Sequence, residues 1–170
     1  MSTEDYGKNL TLGYSSLNRN NEREKVNFFN ADGIAAAAGF TSNVEDLAKF
    51  ARWQIDLVKS LEKNILSPET LKLMHEIHWD DKLTSVTRGL GFGVYNFDGE
   101  NWVGHGGSCP GYRSQLYINT NKELAYSVMI NSSGTSPTKY IDGIHEILSN
   151  VTLKKAVSYT HLTLPTKRNV

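Results

Sequence analysis

One histidine stands among glycines in the run Gly104-His105-Gly106-Gly107-Ser108-Cys109-Pro110-Gly111-Tyr112-Arg113-Ser114. The segments on both sides alternate like strands. Glycine inside a strand pattern marks a place where another backbone or a ligand comes close. A histidine beside so bare a stretch can orient a substrate and adjust charge, since an unperturbed imidazole titrates near ~6.5. The same residues also read as a glycine-rich hairpin with an incidental histidine. Cys109 reads as a small filler, because no helix N-terminus or base other than His105 stands near it in sequence.

The elements that must hold this run are legible around it. Residues 1–30 are polar and poorly periodic, and 18–25 read as a solvated loop. Ser42 followed by Glu45 has the spacing of a capping box, which predicts a helix over about 42–63. Its apolar face is Leu47, Phe50, Ala51, Leu57, Val58 and Leu61. Ser67-Pro68 starts a second helix, over about 67–79. Strands follow at about 89–97, 101–107, 112–119 and 123–131, with Asp98-Gly99 as a hairpin turn. Ser136-Pro137 opens a last helix over about 137–150, with Tyr140, Ile141, Ile144, Ile147 and Leu148 as its stripe. The expected fold is α+β, an antiparallel sheet flanked by helices.

Composition excludes several classes. The 170 residues suffice for one domain with a sizeable core. A formal charge of zero favours neither nucleic acid nor an anionic membrane. No apolar run is long enough to span a bilayer, and no signal peptide is visible after Met1. His75-Glu76-Ile77-His78 lacks the four-residue spacing and the glutamate placement of a zinc helix. With no third ligand evident, these read as helix-surface histidines, and neither metal nor cofactor is expected. His145 reads as equally ordinary.

His105-Gly106-Gly107, continued by Pro110-Gly111-Tyr112-Arg113-Ser114, resembles the third active-site element of the serine β-lactamase and penicillin-recognising hydrolase superfamily. The class C-like branch carries a His-x-Gly variant of Lys-Thr-Gly there. Gly89-Leu90-Gly91-Phe92-Gly93-Val94 resembles the strand entering the motif, and Met129-Ile130-Asn131 the end of the strand leaving it. Ala37-Ala38-Gly39-Phe40-Thr41-Ser42 with Asp46-Leu47-Ala48-Lys49-Phe50 resembles the family's loop and helix. The likeness spans about residues 30–148, with 31–150 as the C-terminal part of a β-lactamase-like domain. It implies that His105 helps orient substrate, that Gly106 and Gly107 leave room for it, and that the Ser108 amide is one oxyanion donor.

The rest of that chemistry is missing. Acyl transfer of this kind needs a helix-borne Ser-x-x-Lys and a Tyr-x-Asn or Ser-x-Asn element ahead of the third motif. Ser60 and Lys63 fall opposite the apolar face of their helix. Ser136 and Lys139 follow His105, and Ser-Pro is ordinary cap chemistry. Tyr117-Ile118-Asn119 also follows it, and both side chains share one face of a strand, which suits cross-strand packing. Ser16-Leu17-Asn18 has no serine-lysine pair before it. No nucleophile is assigned. The fold is therefore expected to be incomplete at its N-terminus.

The reading is the C-terminal part of a serine hydrolase acting on β-lactam, D-Ala-D-Ala peptide or ester bonds through an acyl-enzyme, and inactive alone. The alternatives are a non-catalytic binding or regulatory module of the same fold, and a different α+β domain whose hairpin imitates the motif. The resemblance implies a small-molecule or peptidoglycan-like peptide substrate and, for the intact protein, a periplasmic or extracellular place. Residues 157–170 resemble translated sequencing-adaptor DNA and are expected to be artefactual. Without Lys167 and Arg168 the formal charge is about −2.

Overall fold

The computed structural model describes residues 3–60, 65–83 and 86–160. After two single-turn 3-10 helices, Thr3–Asp5 and Asp32–Ile34, come helices α1 (Ala35–Ala38), α2 (Val44–Lys59) and α3 (Pro68–His75). Six strands follow: β1 (Trp79–Asp81), β2 (Val86–Arg88), β3 (Gly93–Phe97), β4 (Glu100–Cys109), β5 (Tyr112–Asn119) and β6 (Leu124–Ile130). Helix α4 (Pro137–Thr160) closes the chain's described part. The strands form one antiparallel meander in the order β1-β2-β3-β4-β5-β6.

Several elements depart from expectation for identifiable reasons. Helix α2 is capped by Asn43, whose side chain accepts the Asp46 N–H at 2.9 Å, so the helix starts one residue after the Ser42 box. Asparagine and serine cap about equally well, so the sequence does not separate them. Ser67 caps α3 through the Thr70 N–H, with Pro68 in the first turn, as the sequence predicts. That helix stops at His75 and does not reach Trp79, because the His78 N–H bonds Arg88 O at 2.9 Å and the chain enters β1. Among the described residues the sheet thus has six strands where about four were expected. Helix α4 runs to Thr160, ten residues beyond the expected end, and takes in 157–160. Leu61 and Lys63, and the tail from His161, lie outside the described residues.

Helices cover both faces of the sheet. On one, Ala51 and Ile55 of α2 pack with Val94, Val103, Leu116 and Ile118. On the other, Ile141 of α4 packs with Trp102, Tyr117 and Tyr126. Alternation along β4 therefore puts Val103, His105, Gly107 and Cys109 on the α2 face, and Trp102, Gly104, Gly106 and Ser108 on the α4 face.

Residues 18–25 form an exposed loop, and polar ties fasten the segment around it to the domain. Tyr6 donates to Val26 O at 2.5 Å, and the Arg23 guanidinium donates to Ser15 O, Ser133 O and Thr135 Oγ1 at 2.6, 2.9 and 3.2 Å. Tyr14 bridges to Lys25 and to Ser132. Their ties are polar, which is why hydrophobic periodicity misses them.

Candidate functional site

Strand β4 has two unlike halves. From Glu100 to Gly104 it pairs with β3, from Phe97↔Glu100 to Gly93↔Gly104, and from Val103 onward with β5. From His105 to Cys109 it is paired only with β5 among the described residues. The cause is the chain before Gly93, which turns off the sheet. The Leu90 N–H bonds Met74 O and the Gly89 N–H bonds Phe92 O, both at 2.9 Å, docking this loop on the end of α3. Gly89 fits there because a Cβ would lie 2.3 Å from Met74 O.

Hydrogen-bond alternation fixes what the open half displays. The two-residue turn Asp98-Gly99, with φ of 52° and 78°, makes Phe97 and Glu100 a hydrogen-bonded pair. Backbone groups of Glu100, Trp102 and Gly104 then face β3. Those of Gly106 and Ser108 face the same way, where β3 has ended. The turn Pro110-Gly111, closing Cys109↔Tyr112, gives the same phase. The Ser108 N–H and both polar groups of Gly106 are thus aimed along the open edge.

His105 is exposed, and its Nδ1 lies 2.7 Å from Gly106 O. A carbonyl only accepts, so this contact places the proton on Nδ1 and leaves Nε2 of the neutral ring as an acceptor. Gly104, not singled out from sequence, is the most constrained residue of the run: a Cβ there would lie 1.8 Å from Leu116 O. At Gly106 and Gly107 the nearest atoms to an added Cβ would be side-chain ones, Gln115 Oε1 at 2.7 Å and Ser114 Oγ at 2.3 Å.

A cavity of about 440 Å³ borders this half-strand, between Gly106–Ser108, Arg113–Gln115 and the turn 134–138 that opens α4. Ser136 lines it; Lys139 does not, and is exposed. Arg23 holds the turn through Ser133 and Thr135, while Ser133 Oγ accepts the Gly111 N–H at 3.0 Å. Sequence reasoning had no signal for Arg23, whose partners in this turn lie more than a hundred residues away.

The remaining candidates separate cleanly. Tyr117 and Asn119 are 3% and 1% exposed, and Asn119 Oδ1 accepts the Lys122 N–H, so this Tyr-x-Asn is structural. Cys109 is half-buried, its Sγ 3.9 Å from Ala38 O. His75 is not a surface histidine. Its Nε2 lies 2.9 Å from Oε1 of the fully buried Gln54, its ring meets Phe92 edge-on, and burial lowers its pKa to about 4. His78 contacts Leu73 O, and no cluster of three metal-ligating side chains exists among the described residues. His145 is far from ordinary. It bridges Tyr126 and Asp98, at 3.0 Å to each, within a ring of Phe97, Trp102 and Tyr126.

The Beta-lactamase family matches residues 5–148. Among solved structures, the chain is similar to the octameric penicillin-binding protein homologue from Pyrococcus abyssi. That similarity has 29% identity and a TM-score of 0.62, over 77% of this chain and 29% of that one. It also shares its fold with a D-stereospecific amidohydrolase from a Streptomyces species, with 22% identity and a TM-score of 0.55, over 74% of this chain and 36% of that one. The chain therefore spans about a third of the length of either. None of the curated proteins is significantly similar to it.

Proposed function

Because the chain belongs to the β-lactamase family, we propose that it forms the substrate-strand portion of a serine hydrolase that opens β-lactam, D-Ala-D-Ala peptide or ester bonds through an acyl-enzyme. The observation that carries this reading is the open edge of β4 at Gly106–Ser108, bordered by a cavity of about 440 Å³. An extended substrate backbone pairs there as an added strand, exchanging hydrogen bonds with Gly106. The Ser108 N–H is one donor to the oxyanion that forms when the carbonyl is attacked. His105 orients substrate through Nε2, and Gly107 keeps the α2 face of the strand clear.

The nucleophile and the amine that takes its proton are not supplied by the described residues. Ser136 reaches the cavity but precedes Pro137 at the start of α4, and Lys139 does not join it there. On this reading the chain alone does not acylate. That same absence favours one second reading, a binding module that kept the strand and dispenses with the chemistry.

Two preparations separate them. The chain alone should leave chromogenic β-lactams and p-nitrophenyl esters intact. The protein continued upstream by its own in-frame coding sequence should be labelled by fluorescent penicillin or a fluorophosphonate. Reversible binding of a D-Ala-D-Ala peptide without labelling, in that longer protein, would favour the module. Neither labelling nor binding would end both readings.

A further inference from the structure

Three stretches of chain, distant in sequence, meet next to the cavity that borders β4. They are the arm 13–16 of the N-terminal hairpin, the β4–β5 turn at Pro110-Gly111, and the connection 131–136 from β6 to α4. Their backbones leave no room for a Cβ at two glycines. One on Gly134 would lie 2.5 Å from Ser16 Oγ and 3.2 Å from Ser16 Cα; one on Gly111 would lie 2.9 Å from Gly13 Cα. Both glycines have positive φ, 73° and 82°. Backbone bonds join the arm to the connection, from Tyr14 N–H to Asn131 O at 3.0 Å and from Ser133 N–H to Tyr14 O at 2.9 Å.

One side chain closes this junction. The Nη1 of Arg23 donates to Ser15 O at 2.6 Å and to Ser133 O at 2.9 Å, and its Nη2 donates to Thr135 Oγ1 at 3.2 Å. All three acceptors are neutral, so the planar fork serves here through its geometry. The reach matters because Gly134–Thr138 forms one wall of the cavity and Gly106–Ser108 another. The backbone bonds reach Ser133, and the Thr135 contact carries the hold two residues further, into the wall itself.

We propose that Arg23 is a positioning residue for substrate binding, acting through Ser133 and Thr135 to set the Gly134–Thr138 wall against the open edge of β4. This rests on the reading that substrate lies along that edge. Arg23 does not itself line the cavity, so its loss removes no contact with substrate. The Tyr14 backbone bonds and the Gly111–Ser133 bond remain without it, so the junction stays assembled while the wall loosens. A loosened wall weakens the hold on substrate and transition state alike. That raises the half-saturating concentration and leaves the limiting rate in place.

Saturation kinetics of acylation, in the protein continued upstream, tests this with an anionic fluorescent penicillin and a neutral p-nitrophenyl ester. Arg23→Ala should raise the half-saturating concentration about tenfold for both, the scale of one charge-assisted hydrogen bond. The limiting rate should change by less than about twofold. Arg23→Lys keeps the charge but not the fork; it should fall between parent and alanine, and it decides the matter if alanine fails to fold. Arg19→Ala, at an exposed residue of the same loop, should match the parent. In the chain alone, amide hydrogen exchange should quicken in Arg23→Ala between 134 and 138 and stay unchanged along β4 and β5. An effect confined to the penicillin, and erased by salt or by lysine, would make Arg23 a source of charge and overturn the proposal. Variants that match the parent, or a lower limiting rate with affinity intact, would overturn it equally. A parent that reacts with neither reagent would overturn the hydrolase reading, and this inference with it.

Discussion

At the scale of single residues, the run from Gly104 to Ser108 separates space from chemistry. Gly104 is required by the sheet itself: Gly104→Ala should cost about 3 kcal/mol or more, because the neighbour it would strike is the Leu116 carbonyl and no rotamer relieves it. Urea titration would measure that, and a cost below about 1 kcal/mol would mean that β4 and β5 separate easily here. His105 should behave oppositely, with His105→Ala leaving the melting temperature unchanged because its ring is exposed. His75 makes the fold sensitive to acid. Its pKa is lowered by burial from 6.5 to about 4, so the unfolded chain binds the extra proton between those values. Stability is then fully present above pH 6.5 and falls as the pH drops toward 4, by roughly 1–2 kcal/mol once the solvent-facing part of the ring is allowed for. His75→Gln, which keeps a partner for Gln54, should flatten that slope in melts taken from pH 7 to pH 4. An unchanged slope would place the titrating group elsewhere.

Elements were legible where a local signal sufficed. Strand β5 coincides with its expected bounds, because alternation and the turns at both ends are all local. Ser67-Pro68 and Asp98-Gly99 act within three residues and likewise needed no context. Strands β1 and β2 escaped notice since three-residue segments show no period, and Trp79–Asp81 is largely exposed. The N-terminal segment is irregular, yet Tyr6, Arg23 and Asn131 tie it down through backbone oxygens, which no periodicity shows. The family match beginning at residue 5 agrees with its being part of the domain. Asn43→Ala should cost about 1 kcal/mol, whereas Ser42→Ala, whose hydroxyl donates to Asn43 O and caps no helical N–H among the described residues, should cost far less; equal losses in thermal melts would return the cap to Ser42. Deleting residues 161–170 should leave the midpoint unchanged, and a fall of several degrees would show that the tail packs.

For the whole molecule, the sheet, its two helical faces and the family were within reach of sequence, but the open edge was not. That edge exists because the 89–92 loop leaves the sheet at Gly93 to dock on α3, a long-range event that no motif encodes. The motif draws attention to these residues, and the topology shows how they are presented: backbone groups of Gly106 and Ser108 outward, His105 and Gly107 toward the α2 face. The chain alone should show no turnover of chromogenic β-lactams or p-nitrophenyl esters; activity lost in Ser136→Ala would make that serine the nucleophile after all. The most direct test of the central claim, that substrate lies along β4 beside Gly107, is the acylation rate by fluorescent penicillin or a fluorophosphonate in the protein continued upstream. Gly107→Val should lower it by ~10²–10³, the scale of a lost oxyanion contact, with an unchanged melting temperature, since an added Cβ meets only the Ser114 hydroxyl. His105→Ala should lower it less, and His105→Lys less still. Acylation of Gly107→Val at the parent rate would mean that this strand does not line the site.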